Sequence, residues 1–147
     1  MKIYTVAKGA TGFDDIKRGE RDKPIPGANQ ALVRMRAASL NFRDLAIVAG
    51  KYIRGPLAQD TIPLSDGAGE VVAVGASVTT LKVGDRVVAT FTQGRSHAAL
   101  GSPLDGVLAE FAAFDEDGLL KVPYHMSFEE AATLPCAGRP PPPPASG

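Results

Sequence analysis

Residues 63–75 read PLSDGAGEVVAVG. Three glycines and a serine run straight into a valine-rich stretch, and the fold turns on what the glycines do. A dinucleotide-binding loop needs Gly-x-Gly-x-x-Gly between a strand and a helix, so that free amides at the helix start meet the pyrophosphate. Here Gly67-Ala68-Gly69 is followed by Glu70, Val71 and Val72, so the third glycine is missing. What comes next is a β-branched run, not a helix. The glycines therefore serve backbone geometry: a tight turn, or a close approach of backbones as a strand begins.

The flanking chain has the same character. Twelve prolines and sixteen glycines punctuate short apolar runs, the pattern of many short strands. Strands are expected over 2–6, 31–38, 70–74, 86–91, 107–114 and 119–122, with loops and one further short strand within 9–29. Segment 31–38 alternates, Val33, Met35 and Ala37 facing one way and Leu32, Arg34 and Arg36 the other, which makes a half-buried strand. Two short helices interrupt the strands. Asn41 is the N-cap of the first, with Asp44 at its third position, Leu45 and Val48 on its buried face and Gly50 closing it. Ser127-Phe128-Glu129-Glu130 is a capping box that opens the second, which runs through Leu134. The expected class is mainly β, a closed or partly closed barrel with two or more short helices. Residues 139–147, RPPPPPASG, are different material. Consecutive prolines favour an extended polyproline II rod, so the folded domain is expected to span 1–138, with 139–147 a linker or cloning remnant.

Composition narrows the function classes. A chain of 147 residues with 44% apolar and 22% charged residues fits one soluble domain. Sixteen basic and sixteen acidic residues cancel, so no basic excess points to nucleic acid or an anionic membrane. The N-terminus carries no signal-peptide core and no apolar run reaches membrane-spanning length; a cytoplasmic location is expected. Cys136 is the single cysteine, which excludes a disulfide framework and a cysteine-based structural zinc cluster.

The segment DGAGEVVAVGASVTTLKVGDRVVA resembles one in the medium-chain dehydrogenase/reductases. SLNFRDLAIVAGKY from Ser39, GVLAEFAAF from Gly106 and KVPYHMSFEEAATLPCAG from Lys121 extend the likeness in order over most of 1–138. The resemblance implies the GroES-like β-barrel that forms the substrate-binding half of these enzymes, and it is nearest to zinc-independent quinone oxidoreductase-like members. The family's cofactor-binding Rossmann domain is expected to be missing from this chain.

In zinc-dependent relatives a cysteine, a histidine with an acidic neighbour, and a second cysteine surround the metal. Those places fall here on Asn41, Ser65, Asp66 and Cys136. Asn and Ser are poor zinc ligands, so no zinc is expected. The four-cysteine structural lobe is replaced by GRSHAALGSPLDG, and His97 and His125 read as exposed loop residues. Without a metal, a carbonyl is polarised by hydrogen bonds. The resemblance points to Asn41, Arg43 and Tyr52 as catalytic candidates and to Asn41, Phe42 and Arg43 as cofactor contacts. Against these stand plainer roles: an N-cap for Asn41, an exposed helix charge for Arg43, a packed aromatic for Tyr52, turn-shaping for Ser65 and Asp66, and a small buried residue for Cys136. The implied function is the substrate domain of an NADPH- or NADH-dependent oxidoreductase acting on small quinones, enones or carbonyls, inactive without its cofactor domain. The alternative is a stand-alone barrel that binds or assembles without catalysis. A homodimer through an apolar patch that includes Phe128 and Leu134 is also expected.

Overall fold

The computed structural model describes residues 1–52, 55–94 and 97–138, so the expected polyproline tail lies outside the described residues. The strands are β1 (Lys2–Val6), β2 (Ile16–Glu20), β3 (Gln30–Ser39), β4 (Asp66–Val74), β5 (Arg86–Ala89), β6 (Thr92–Gln93), β7 (Ala98–Ala99), β8 (Phe111–Asp115) and β9 (Leu119–Lys121). The helices are α1 (Phe42–Val48), α2 (Phe128–Ala132) and α3 (Leu134–Ala137). Five strands form one antiparallel sheet in the order β8-β3-β4-β5-β9, with β1-β2 and β6-β7 as separate hairpins. Bridges from Ile3 to Ala109 and from Val6 to Thr61 tie the first hairpin to the rest and curl the whole into a partly open barrel. Among the described residues no helix is long and apolar enough to cross a membrane.

The glycines of the opening stretch lie inside a strand, not in a turn before it. β4 starts at Asp66, four residues earlier than the valine run alone suggests. A Cβ on Gly67 would sit 2.7 Å from Met35 Cε and 2.8 Å from Val107 Cβ. One on Gly69 would meet the Arg34 carbonyl and lie 2.7 Å from Val33 Cγ1. The glycines thus let β3 and β4 approach closely, beside register shifts at Leu32/Val33 and Met35/Ala37. The first shift also breaks the expected alternation: Ala31, Leu32 and Val33 are buried in succession. Around them Val71, Val87, Val107, Phe114 and Leu119 form the barrel core, each large side chain contributing roughly 1.5–3 kcal/mol.

Several boundaries move for identifiable reasons. Residues 107–110 do not join β8; the amides of Val107 and Leu108 donate to Leu64 and Pro63 carbonyls, and Leu108 accepts from Tyr4. α1 buries Asp44, Ile47 and Val48, while Leu45 is 51% exposed, so its inner face is one step round from the expected one. Gly50 has φ +66°, and a Cβ there would lie 2.7 Å from the Ala10 carbonyl; only glycine closes this turn. The second helix ends at Ala132 and restarts as α3. Pro135, near the start of α3, lacks the N–H that a continuous helix would give to Ala131. α2 lies on the outer face of the sheet, with Ala131 and Ala132 buried against Ala68, Val88 and Val122. Arg86 fixes it, donating 2.6 Å to the Met126 carbonyl with its guanidinium 4.5 Å from the Phe128 ring centroid. Asp85 pins the turn before β5, accepting from Lys82 Nζ at 2.9 Å and from Lys121 Nζ on β9 at 3.0 Å.

Candidate active site

The first turn of α1, the start of β4, and α3 meet at one end of the barrel. Ser39 pairs with Asp66 across β3 and β4, which brings Asn41, two residues on, beside the head of β4. Asn41 caps α1 by donating its backbone N–H to Asp44 Oδ2 at 2.8 Å. Its side-chain Nδ2 is buried and has no partner among the described residues. Asp44 is 5% exposed, and its Oδ1 has no partner either. Burial pushes the Asp44 carboxyl above its ordinary value and the charge of Asp66 adds to this, while the Asn41 bond and Arg43 pull it back. Buried polar atoms without partners are costly.

Arg43 is engaged, not free. It donates to the carbonyls of Leu100 (2.8 Å) and Ser102 (2.7 Å), and its guanidinium lies between the rings of Tyr52 (4.9 Å) and Phe91 (5.0 Å). Only its buried Nε lacks a partner. Tyr52 is half-buried and packs against the small cluster of Val6, Ile47, Val48 and Leu57. Phe42 is 83% exposed beside this turn. The arrangement joins Asn41, Arg43 and Tyr52 as neighbours, with Arg43 acting as the strut.

Ser65 and Asp66 are fully buried. Ser65 Oγ donates to Asp66 Oδ1 at 2.7 Å, and the Cys136 amide donates to Asp66 Oδ2 at 3.0 Å. Ser65 Oγ and Cys136 Sγ are 3.7 Å apart. Cys136 is half-buried rather than enclosed, and burial followed by the Asp66 hydrogen bond pushes its thiol pKa up. Leu64, just before, holds φ +72°, a left-handed conformation that costs a non-glycine residue roughly 1–2 kcal/mol. Of the four positions that zinc relatives use, Ser65, Asp66 and Cys136 thus converge as a hydrogen-bonded set. Both oxygens of Asp66 are taken, the thiol is held neutral, and among the described residues no three His, Cys, Asp or Glu side chains are grouped to hold a metal. The donor set does not fit zinc. His97 and His125 are exposed.

Beside this cluster runs an apolar cleft of about 590 Å³ between β5, β9 and the two C-terminal helices, lined by Val88, Thr90, Phe91, Met126 and Leu134 among others. That volume accommodates a small organic molecule. Phe91 links its mouth to Arg43 and so to the first turn of α1.

Residues 27–124 match the alcohol dehydrogenase GroES-like domain. The chain belongs to that family. It is a member of the medium-chain dehydrogenase/reductase superfamily, near the quinone oxidoreductase-like proteins. A zinc-type alcohol dehydrogenase-like protein of Schizosaccharomyces pombe is 40% identical over 91% of this chain and 41% of its own length. A chloroplast envelope quinone oxidoreductase homolog of Arabidopsis thaliana is 40% identical over 94% of this chain and 39% of its own. Among solved structures, Escherichia coli quinone oxidoreductase complexed with NADPH superposes with a TM-score of 0.70 at 26% identity, over 90% of this chain and 36% of that one. This GroES-like chain therefore spans about 40% of the length of the curated relatives it matches. Among the described residues every strand pair is antiparallel, and no Rossmann unit is present.

The sequence singled out Asn41, Arg43 and Tyr52 and set Asp44 in the turn that Asn41 caps, but it missed Phe91 as a partner of Arg43 and read Asp66 only as the acid of the former metal positions or a turn residue. For Asp66 a signal existed, an acid set among apolar residues and glycines. For Phe91 none did, because its contact with Arg43 depends on a crossing of distant loops.

Proposed function

We propose that this chain is the substrate-binding part of a zinc-independent NAD(P)H-dependent oxidoreductase that reduces small quinones, enones or related carbonyl compounds. The observation that carries this is the buried, unpartnered Nδ2 of Asn41. A substrate oxygen there completes its hydrogen bonding. A bound nicotinamide would supply the hydride for a quinone or an enone β-carbon; Asn41 would hold the oxygen on which negative charge gathers, where a preorganised donor accelerates reaction. Tyr52, held against Arg43, offers a phenolic hydroxyl as a second donor. Arg43 holds Tyr52 and Phe91 in place through its stack and its two carbonyl bonds. Asn41, Phe42 and Arg43 bound the surface that meets the reactive end of the cofactor. The described residues offer no glycine-rich strand–turn–helix to hold a pyrophosphate; that task belongs to a Rossmann domain joined beyond residue 138, with 139–147 as linker or remnant. Polarisation by hydrogen bonds replaces a Lewis acid, because Asn41 and Ser65 stand where ligands are needed. A cytoplasmic location and self-association through the apolar cleft face complete the reading.

The test combines elemental analysis with calorimetric titration. The purified chain is expected to carry no stoichiometric zinc, to bind neither NADH nor NADPH in the micromolar range, and to leave cofactor-dependent quinone reduction at the buffer rate. One tightly held zinc per chain, or clear turnover by the chain alone, overturns the proposal.

A further inference from the structure

We propose that Asp66 is a positioning residue that holds α3 as one wall of the substrate cleft by gripping the backbone amide of Cys136. The inference rests on the reading of that cleft as the substrate site. α3 has only four residues, too few to sustain a helix by itself. Its early amides have no helical acceptor; Pro135 has no N–H, and the N–H of Cys136 goes to Asp66 Oδ2 at 3.0 Å. On the cleft side, Leu134, Pro135 and Gly138 line the cavity. α3 therefore offers apolar groups to the cleft and an amide to β4.

Asp66 is suited to the task. It has no solvent exposure, it is the first residue of β4 and is paired with Ser39, and its other oxygen is fixed by Ser65 Oγ at 2.7 Å. A carboxylate accepting from a backbone amide out of water is among the stronger hydrogen bonds. The opposite wall is set by the same strand. Ala68 of β4 pairs with Val88 of β5, and Val88, Thr90 and Phe91 line the cleft across from Leu134. One side chain thus fixes both walls relative to each other.

The single cysteine makes the test clean. In the native chain the Cys136 amide is expected to exchange with solvent about ten- to hundredfold more slowly than an unstructured amide, the protection one charge-assisted bond confers. Asp66→Ala is expected to raise the rate of Cys136 thiol modification by an aromatic disulfide reagent by a similar factor. Loss of the Asp66 charge alone would also speed the thiol, so Asp66→Asn is the control. It removes the charge but keeps an acceptor for the amide, so its thiol rate measures the charge effect alone, and the clamp requires Asp66→Ala to react about ten- to hundredfold faster than Asp66→Asn. Duroquinone is the cleft probe. Chemical-shift changes at the Val88 and Leu134 methyls should report its binding, weakened by Asp66→Ala and retained by Asp66→Asn. If Asp66→Ala fails to fold, native amide exchange and Asp66→Asn still decide. An unprotected Cys136 amide, or a folded Asp66→Ala protein whose thiol reacts no faster than that of Asp66→Asn, overturns the clamp. A protected amide with no duroquinone binding to the native chain overturns the assignment of the cleft, and with it the role of Asp66 toward substrate.

Discussion

The interior of the five-stranded sheet and the buried polar atoms at the start of α1 are satisfied in opposite ways. Val33, Val71 and Val87 are almost wholly enclosed, and their strands complete one another's backbone bonds. The α1 turn encloses Asn41 Nδ2, Arg43 Nε and Asp44 Oδ1 without partners. The first region is finished by the chain itself. The second is left unmatched by the described residues, and on the proposed function a substrate oxygen completes it.

The sharpest way to break that contrast is to damage the finished region. Phe114 is 3% exposed, pairs with Ala31 and belongs to the barrel core. Phe114→Ala should cost about 3–5 kcal/mol, a large part of the ~5–15 kcal/mol that typically holds a domain. A urea midpoint that barely moves would mean that the core is not where the stability lies. The matching change in the unfinished region is Asn41→Ala, in a protein joined to its cofactor domain. Turnover should fall by about 10²–10³, with a stability loss of about 1 kcal/mol or less from the weakened cap. A lowered melting temperature with unchanged turnover would reduce Asn41 to a cap.

The smallest effect contrasts two carboxylates. Asp85 is held down to about 2 from 3.8, first by the hydrogen bond from Lys82 and also by Lys121. Because its folded pKa is depressed, its contribution is present above 3.8 and is lost as pH falls through about 2. Lys82 is largely exposed, so solvent screening limits the effect to on the order of 1 kcal/mol or less. Urea midpoints of wild type and Asp85→Asn should differ at about pH 5 and converge near pH 2; a constant gap would remove Asp85 from the acid response. Asp44 has the opposite sign. Burial raises its folded pKa, so its protonated form favours the fold, and that contribution is lost as pH rises through the folded value.

Local chemistry was legible in the sequence, and distant contacts were not. The capping box at Ser127 forms as read, with the Glu130 amide donating to Ser127 Oγ at 3.0 Å and the Ser127 amide to Glu130 Oε2 at 2.7 Å. β1 has the expected ends. Asn41 stands at the head of α1 as its capping pattern suggests. The start of β4 was missed because Gly67 owes its place to Met35 and Val107, each more than thirty residues away. The inward face of α1 was misjudged because its partners include Val6 and Leu57. The Asp66 clamp joins residues seventy positions apart, and no spacing rule spans that gap.

The strand order has a consequence for how this chain is made. β3 lies between β4 and β8, and its pairing with β8 begins where Gln30 meets Asp115. That partner is 115 − 30 = 85 residues later in synthesis. At the ~5–20 residues per second of translation, β3 waits about 4–17 s for it. Throughout that interval one hydrogen-bonding edge of β3 stands open beside Val33 and Met35, an invitation to pair with another nascent chain. Safe biogenesis of this barrel therefore depends on sheltering that edge until Asp115 has left the ribosome.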